Sequence, residues 1–191
     1  MKVVAFNGSA RKHGNTRIAL ETVLAELQAE GIETELISLA GKKIHGCRAC
    51  FKCFENKDKC CALNDDEMNP LIEKMVEADG ILIGSPVYFA SMTTETKALI
   101  DRAGIVAKGN EDMFTRKVGA AVAVARRAGA VSTFDEINRF FLISGMMVPG
   151  STYWNVGIGL TPGDVKSDAE GMATFKNLGR NMAWMLNKLH A

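Results

Sequence analysis

The first sixteen residues constrain the fold more strongly than any other part of the chain. Residues 3–6 form a short, continuous apolar run, which predicts a buried strand. A loop of small and polar residues follows over 7–16, and the apolar spacing from 18 to 27 predicts a helix that begins at about Asn15. Because a helix N-terminus carries unpaired N–H groups and the positive end of the helix dipole, this strand–loop–helix unit predicts an anion site.

The loop supplies several groups that can contact an anion. Gly8 and Gly14 allow the backbone to approach a ligand closely. Ser9, Asn15 and Thr16 offer side-chain donors, and Arg11 and Lys12 supply positive charge. A capped helix after an ordinary turn is the alternative interpretation of such a loop, but the preceding strand and the following helix favour a binding site.

This loop differs from two related phosphate-binding loops. Gly14 is followed by Asn15, so the lysine of a Gly-x-x-x-x-Gly-Lys loop is missing. The Gly-x-Gly-x-x-Gly fingerprint is also missing, and the second predicted strand, residues 33–39, does not end in an acidic residue that would bind a ribose. The remaining candidate is a mononucleotide phosphate site of the flavodoxin-like type, for which FMN is the usual ligand.

Predicted strands and helices alternate along the chain, which is typical of a parallel sheet covered on both faces. The predicted strands are residues 3–6, 33–39, 80–84, 117–125 and 147–154. Two of the predicted helices begin near residues 16 and 93. Three others begin at sequences that resemble a helix capping box, Asn64-x-x-Glu67, Thr133-x-x-Glu136 and Ser167-x-x-Glu170. We expect one flavodoxin-like α/β domain over residues 1–191, a three-layer sandwich with strand order 2-1-3-4-5 and a cysteine-containing excursion at about 40–63.

Composition excludes several functional classes. The formal net charge of +1 gives no electrostatic reason to expect nucleic acid or an anionic membrane as a partner. No run of 18 apolar residues occurs, and a strand that starts at residue 2 or 3 leaves no room for a signal peptide. We therefore expect a cytoplasmic protein whose five cysteines are reduced rather than paired in disulfides.

Two further loops should share the edge of the sheet with the phosphate loop. Ligands of open α/β sheets bind at the carboxyl ends of the strands, which selects residues 85–92 and 125–130. Pro86 restricts the backbone, and Tyr88 and Phe89 supply aromatic surface for a flat ring, although either ring could instead pack under a helix. Arg126 could equally be a solvated cation.

Several motifs occur in an order that resembles a known family. They are Asn7-Gly8-Ser9-x-Arg11, Gly14-Asn15-Thr16, Gly84-Ser85-Pro86-Val87-Tyr88-Phe89 and Lys97-x-x-Ile100-Asp101-Arg102. Together they are similar to the NAD(P)H-dependent FMN reductase family over residues 2 to about 160. The resemblance implies that Ser9, Arg11, Asn15 and Thr16 bind the FMN phosphate, and that Pro86, Val87, Tyr88, Phe89, Ala125, Arg126 and Gly129 contact the isoalloxazine. It also implies NAD(P)H as co-substrate and no catalytic side chain, because the flavin carries the chemistry at N5.

A cysteine-rich segment adds a second redox possibility. Cys47, Cys50 and Cys53 form a Cys-x2-Cys-x2-Cys run that resembles the start of a ferredoxin-type site. With Cys60 as fourth ligand, the pattern resembles the iron-sulfur flavoproteins, a branch of the same family, and implies a [4Fe-4S] cluster. Thiols without metal and a zinc site remain alternatives, and Cys61 is a spare under each of them.

Three functions follow from these features. The leading one is an FMN-dependent oxidoreductase that takes hydride from NAD(P)H and reduces a small acceptor such as a quinone, a flavin or a metal ion. The second is an iron-sulfur flavoprotein that carries electrons to and from a ferredoxin-like protein. The third is a non-catalytic, redox-sensing nucleotide-binding module. The resemblance also implies a homodimer or homotetramer.

Overall fold

Five parallel strands form the central sheet of the computed structural model, which describes residues 1–190. They are β1 (Lys2–Asn7), β2 (Glu33–Ser38), β3 (Gly80–Pro86), β4 (Val118–Ala125) and β5 (Val156–Ile158). Their order across the sheet is β2-β1-β3-β4-β5, and every neighbouring pair is parallel. The predicted α/β class and strand order are therefore confirmed. The order reverses between β1 and β3, so the carboxyl ends of these two strands form the switch point where ligands bind in such sheets.

Helices cover both faces of the sheet. They are α1 (Asn15–Ala29), α2 (Lys52–Asn56), α3 (Met68–Glu77), α4 (Thr94–Gly109), α5 (Ala130–Ile143) and α6 (Ala169–Leu189), with a 3-10 turn at Asp164–Ser167. Successive strand residues point to opposite faces, so Val3 and Ala5 pack with α1 and α6 while Val4 and Phe6 pack with α3, α4 and α5. In the part of the chain that the structure describes, no helix combines the length and apolarity needed to cross a membrane.

The predicted last strand at 147–154 is wrong. Met147 makes only an isolated bridge with Val118, and β5 begins at Val156. Between them lies Pro149, which has no N–H to donate to the neighbouring strand. The chain therefore leaves the sheet and returns at Asn155, whose carbonyl accepts the Ala123 N–H at 3.0 Å.

Two of the predicted helix starts are also wrong. The box at 64–67 does not form, because α3 begins at Met68 and the Asp66 carboxylate accepts the Met68 N–H at 3.2 Å. The signal at Thr133 lies inside α5, where its hydroxyl donates to the Gly129 carbonyl at 3.2 Å. Gly129 itself begins α5 with φ of 84°, a conformation that favours glycine.

Three other elements differ in length from their predictions. α6 is capped by Asp168, one position after the predicted Ser167, and the Asp168 side chain accepts the Gly171 N–H at 3.0 Å. α4 begins at Thr94, one residue after the predicted start, and continues to Gly109. The excursion at 40–63, predicted to be irregular, contains the short helix α2.

Lys117 is expected to stabilise the end of α3. Its ammonium donates to the carbonyls of Val76, at 2.8 Å, and Ala78, and burial lowers the pKa of the Lys117 side chain. Lys117→Met should lower the free energy of unfolding by about 1.5 to 3 kcal/mol, because charged hydrogen bonds to helix-terminal carbonyls are lost. Urea unfolding followed by circular dichroism measures this. Lys108→Met is the control, because Lys108 forms an ion pair at the surface with the exposed Asp112. An equal loss of unfolding free energy in both variants would contradict the prediction.

Candidate functional site

A cleft opens at the switch point between β1 and β3. It is bordered by the phosphate loop, the aromatic loop after β3, the end of β4 and the segment after β5. Its lining residues are Ser9, Arg11, Asn15, Thr16, Pro86, Val87, Tyr88, Val124, Arg126, Gly159 and Leu160. The structure thus brings together most of the residues that the sequence selected from three separate loops.

The phosphate loop is held tightly against β3 and leaves the start of α1 open. The Gly8 N–H donates to the Gly84 carbonyl at 2.8 Å, and a Cβ at Gly8 would lie 1.9 Å from the Thr96 hydroxyl oxygen, so this position requires glycine. Ser9 is buried within the loop and lines the cleft, and its hydroxyl accepts the Arg11 N–H at 3.1 Å. Within residues 1–190, no side chain caps the first turn of α1 after Gly14, so its N–H groups are available to an anion.

Arg11 and Asn15 connect the phosphate loop to the segment after β5. The Arg11 guanidinium donates to the Leu160 carbonyl at 2.8 Å, which uses one of its five donors. The Asn15 amide donates to the Thr161 carbonyl at 2.8 Å, and its oxygen accepts the Gly163 N–H at 2.8 Å. In this structure the Asn15 side chain therefore positions the neighbouring segment, whereas Arg11 keeps free donors at the cleft.

The aromatic loop is a tight turn anchored to two elements. The Val87 N–H donates to the Val124 carbonyl at 2.9 Å, and Tyr88 and Ser91 exchange two backbone hydrogen bonds of 2.9 and 3.1 Å. The Glu136 carboxylate on α5 accepts the Ser91 hydroxyl at 2.8 Å. These contacts present Val87 and the half-exposed Tyr88 ring to the cleft.

Three of the residues expected to contact the ring lie outside the cleft lining. Phe89 is fully exposed at the tip of the turn, with φ of 50°. Ala125 is buried at the end of β4. Gly129 packs behind the aromatic loop, where a Cβ would lie only 2.9 Å from Val87 Cγ1. Their contact with a flavin ring stays a prediction.

The cleft also contains Val124, Gly159 and Leu160, which sequence reasoning missed. Gly159 and Leu160 were missed because the last strand was placed too early. The Asp164 carboxylate shapes this segment by accepting the N–H groups of Thr161, at 2.7 Å, and Leu160, at 3.1 Å. Hydrogen bonds from the Thr161 hydroxyl and N–H lower the pKa of Asp164. The polar turn from Thr161 to Asp164 was the available sequence signal.

The residues that line this cleft have the chemistry that FMN requires. One end offers the open N-terminus of α1, the Ser9 hydroxyl and the Arg11 cation, which suits a phosphate. The other end offers the apolar side chains of Val87 and Val124 beside the Tyr88 ring, which suits a flat heteroaromatic group.

The cysteine segment, residues 40–63, packs on the C-terminal end of α4. A Cβ at Gly109 would lie 2.9 Å from the Cys53 carbonyl oxygen, so glycine there allows α2 to approach α4 closely. The Asn110 side chain donates to the Cys53 carbonyl at 3.3 Å and accepts the Lys59 N–H at 2.8 Å. The two phenylalanines of the segment remain exposed, although the rings of Phe51 and Phe54 contact each other at a centroid distance of 5.9 Å.

One buried cation joins the two ends of this segment. The Arg102 guanidinium donates to the carbonyls of Leu63, at 2.9 Å, and His45, at 3.3 Å, and forms an ion pair with Asp66 in which both side chains are fully buried. Burial alone would raise the pKa of Asp66, but Arg102 and the N–H groups of His45 and Met68 lower it overall. Likewise, burial would lower the pKa of Arg102, but Asp66 and the nearby Cys61 thiol raise it.

The five thiols are free and differ in exposure. Cys47, Cys50 and Cys60 are exposed, whereas Cys53 and Cys61 are buried. Burial raises the pKa of Cys53, and the neighbouring thiols of Cys61, Cys50 and Cys47 raise it further. Among the described residues, no group of three or more His, Cys, Asp or Glu side chains is arranged to hold a metal ion.

The donor set nevertheless has the chemistry of an iron-sulfur site. The thiolates are the ligands that iron-sulfur clusters use, and the Ala49 N–H already donates to the Cys47 sulfur at 3.4 Å, a contact of the kind that tunes such clusters. Because Cys47 and Cys50 are exposed, their side chains can rotate without displacing core residues. Closing a site around a cluster requires this reorientation.

Comparisons with known proteins agree with this arrangement. The chain is 41% identical over 190 residues to an iron-sulfur flavoprotein of Methanocaldococcus jannaschii, covering 96% of each chain. It is 31% identical to an iron-sulfur flavoprotein of Methanosarcina thermophila, covering 97% of this chain and 95% of that one. Its fold resembles an archaeal flavodoxin, with a TM-score of 0.64 and 18% identity, covering 98% of this chain and 99% of the flavodoxin.

A family model places these similarities in one group. The model described as NADPH-dependent FMN reductase matches residues 1–161, which include the phosphate loop, the cysteine segment, the aromatic loop and β5. The resemblance noted from the motifs is thereby confirmed, as is the flavoprotein and oxidoreductase character that it implied. The chain belongs to the NADPH-dependent FMN reductase family.

Proposed function

We propose that this protein carries electrons between FMN, held in the switch-point cleft, and a ferredoxin-like partner, with a [4Fe-4S] cluster held by the cysteine segment. The observation that carries this proposal is the cysteine segment itself, which packs on the end of α4 and carries five free thiols, in a chain 41% identical to a protein named an iron-sulfur flavoprotein. When bound, FMN supplies two-electron and one-electron chemistry, so no protein nucleophile is required.

The residues of the cleft would bind and orient the cofactor. Arg11, the Ser9 hydroxyl and the N–H groups at the start of α1 would neutralise and bind the phosphate. Val87 and Val124 would exclude water from one side of the ring, and the anchored turn at Tyr88 would keep that surface in place. The assignment of these residues to FMN is part of the proposal.

The cysteine segment would hold the cluster through the Cys-x2-Cys-x2-Cys run and one further thiolate. Cys53 is anchored in the core, whereas Cys47 and Cys50 face solvent at the surface. A cluster at this surface would be accessible to a redox protein of the ferredoxin type. The pairing of a two-electron cofactor with a one-electron cofactor in one chain suits an electron carrier.

A second function, reduction of FMN by NAD(P)H, is supported by a specific feature of the cleft. Arg126 is exposed in the cleft lining, where it could bind a nicotinamide-nucleotide phosphate, and the matching family model is described as an NADPH-dependent reductase. The two functions differ in the electron donor that they require.

Anaerobic spectroscopy distinguishes the two functions. The purified protein is reconstituted with FMN, ferrous iron and sulfide. Its absorption spectrum should show flavin bands at about 370 and 450 nm and a broad cluster shoulder at about 400 nm that bleaches with dithionite. Reduction by a reduced ferredoxin but not by NADPH would support the carrier. Rapid bleaching of the flavin by NADPH, without iron in the protein, would instead support the reductase. A colourless protein that cannot be reconstituted would contradict both.

Cys50→Ser tests whether the cysteine segment serves the cluster alone. We expect the variant to keep FMN and lose the iron, because Cys50 is exposed in the cysteine segment and does not line the cleft. Iron, sulfide and flavin are measured on the same reconstituted sample. Loss of FMN together with iron would mean that the segment supports the whole fold rather than a cluster.

A further inference from the structure

Two adjacent cysteines of the cysteine segment, Cys60 and Cys61, could each provide the fourth ligand of a cluster. A cluster with four protein ligands needs one thiolate beyond Cys47, Cys50 and Cys53, and both Cys60 and Cys61 lie at a suitable distance along the chain. The resemblance to the iron-sulfur flavoproteins selected Cys60. The folded structure separates the two candidates, because their side chains face different surroundings.

Cys61 shares its buried surroundings with Cys53, whereas Cys60 is exposed. Cys53 and Cys61 are both buried in the same apolar cluster beneath the segment. The Cys61 backbone is fixed there by Asn69, whose amide accepts the Cys61 N–H at 2.8 Å and donates to the Cys61 carbonyl at 2.9 Å. Cys60 is exposed and lines a separate cleft on α3, together with Asp58, Lys59, Asn69, Pro70, Glu73, Val76 and Glu77.

The Arg102 contacts bring the two ends of the donor set together. The carbonyls of His45, two residues before Cys47, and of Leu63, two residues after Cys61, both accept hydrogen bonds from the same guanidinium. Cys47 and Cys61 are therefore each two residues from a shared anchor. This arrangement brings Cys61 back toward the start of the cysteine run at Cys47.

The local charges favour the same residue. Iron-sulfur ligation converts thiols to thiolates and concentrates negative charge at the site. Cys61 is two residues from Leu63, whose carbonyl accepts a hydrogen bond from the Arg102 guanidinium, a cation that stabilises such charge. The Cys60 N–H donates to the Asp58 carboxylate at 3.0 Å, and Cys60 lines its cleft with Asp58 and Glu73, whose negative charges would repel a thiolate.

We propose that Cys61, rather than Cys60, is the fourth ligand and that the site is formed by Cys47, Cys50, Cys53 and Cys61. Cys60 is then the spare thiol and faces the acidic cleft on α3. This assignment rests on the proposed function, since it requires that the segment holds a cluster.

Matched serine variants test the assignment. Wild type, Cys60→Ser and Cys61→Ser are reconstituted anaerobically with FMN, ferrous iron and sulfide, and iron, sulfide, flavin and the reduced-state EPR signal are measured. We expect about four iron atoms per protein in wild type and Cys60→Ser. We expect Cys61→Ser to keep its FMN but to lose the cluster or to retain an incomplete one. Retention of the full cluster by Cys61→Ser, or its loss from Cys60→Ser, would overturn the assignment.

A measurement on the wild type covers the case in which the buried Cys61→Ser variant fails to fold. Reconstituted and iron-free protein are treated with iodoacetamide, and the modified cysteines are mapped by mass spectrometry. Cys60 should react to the same extent in both samples, while Cys47 and Cys50 become protected by the cluster. Protection of Cys60 on loading would overturn the assignment. If the wild type takes up no iron, the proposed cluster itself is wrong, and that outcome is seen before either variant is compared.

Discussion

Arg102→Leu is expected to lower the free energy of unfolding by about 3 to 5 kcal/mol, the range found when one partner of a buried ion pair is removed. The Asp66 carboxylate would be left buried without its cation, and the carbonyls of His45 and Leu63 would lose their shared donor. The cysteine segment would lose the contact that joins its two ends. Chemical unfolding of the FMN-loaded protein, followed by circular dichroism, measures the loss.

Lys97→Met on the same helix is the matched control for this loss. Lys97 pairs with Asp101, but both side chains are about half-exposed, so its removal should change the free energy of unfolding by only about 0.5 kcal/mol. Similar losses in the two variants would show that the Arg102 contacts contribute no more than a surface pair.

The buried pair also gives a pH dependence of stability. The pKa of Asp66 is lowered in the folded protein, so its contribution is present above the ordinary value of 3.8 and is lost as the pH falls through the lowered, folded-state value. Arg102→Leu should therefore flatten the decline of stability with acid in that range. An unchanged acid profile would contradict the assigned pairing.

Arg11→Ala is expected to weaken FMN binding by about 10- to 100-fold, which corresponds to the loss of a charge-assisted hydrogen bond. Arg11 lies in the cleft at the open N-terminus of α1, where a phosphate would be bound, and only one of its donors is used by Leu160. Flavin fluorescence during titration of the FMN-free protein measures the dissociation constant.

Lys12→Ala removes the same charge from the neighbouring position and serves as the control. Lys12 is exposed and does not line the cleft, so we expect a much smaller change that diminishes with added salt. If the two variants bound FMN equally well, the phosphate site would not include Arg11.

Local signals predicted the sheet correctly where the strands are buried. The central strands β1, β3 and β4 are continuous apolar runs, and a parallel strand covered on both faces needs such a run. β5 has only three residues and lies at the edge of the sheet. The apolar residues at 147–148 therefore gave a stronger strand signal than β5 itself. Because the last strand was predicted to end at residue 154, Gly159 and Leu160 were not expected at the carboxyl end of a strand.

Capping signals were less specific than strand signals. A polar residue near a helix start can satisfy N–H groups from several neighbouring positions, so Asp66 and Asp168 took the roles that the sequence assigned to Asn64 and Ser167. The choice depends on which turn packs against the sheet. That choice is made by burial in the tertiary structure rather than by the local residues.

The sequence by itself determined the class of site. Residues 2–16 combine a strand, a glycine-containing loop and a helix N-terminus, and an aromatic loop is expected at the same edge of the sheet. These features depend on local backbone chemistry, and together they indicate a bound mononucleotide. Only the tertiary structure decided which distant groups complete the site. Leu160 reaches Arg11 across the cleft, and Arg102 joins the ends of the cysteine segment. Such contacts join residues far apart in the chain, so spacing cannot reveal them, and the direction in which Cys60 and Cys61 face depends on the same long-range packing.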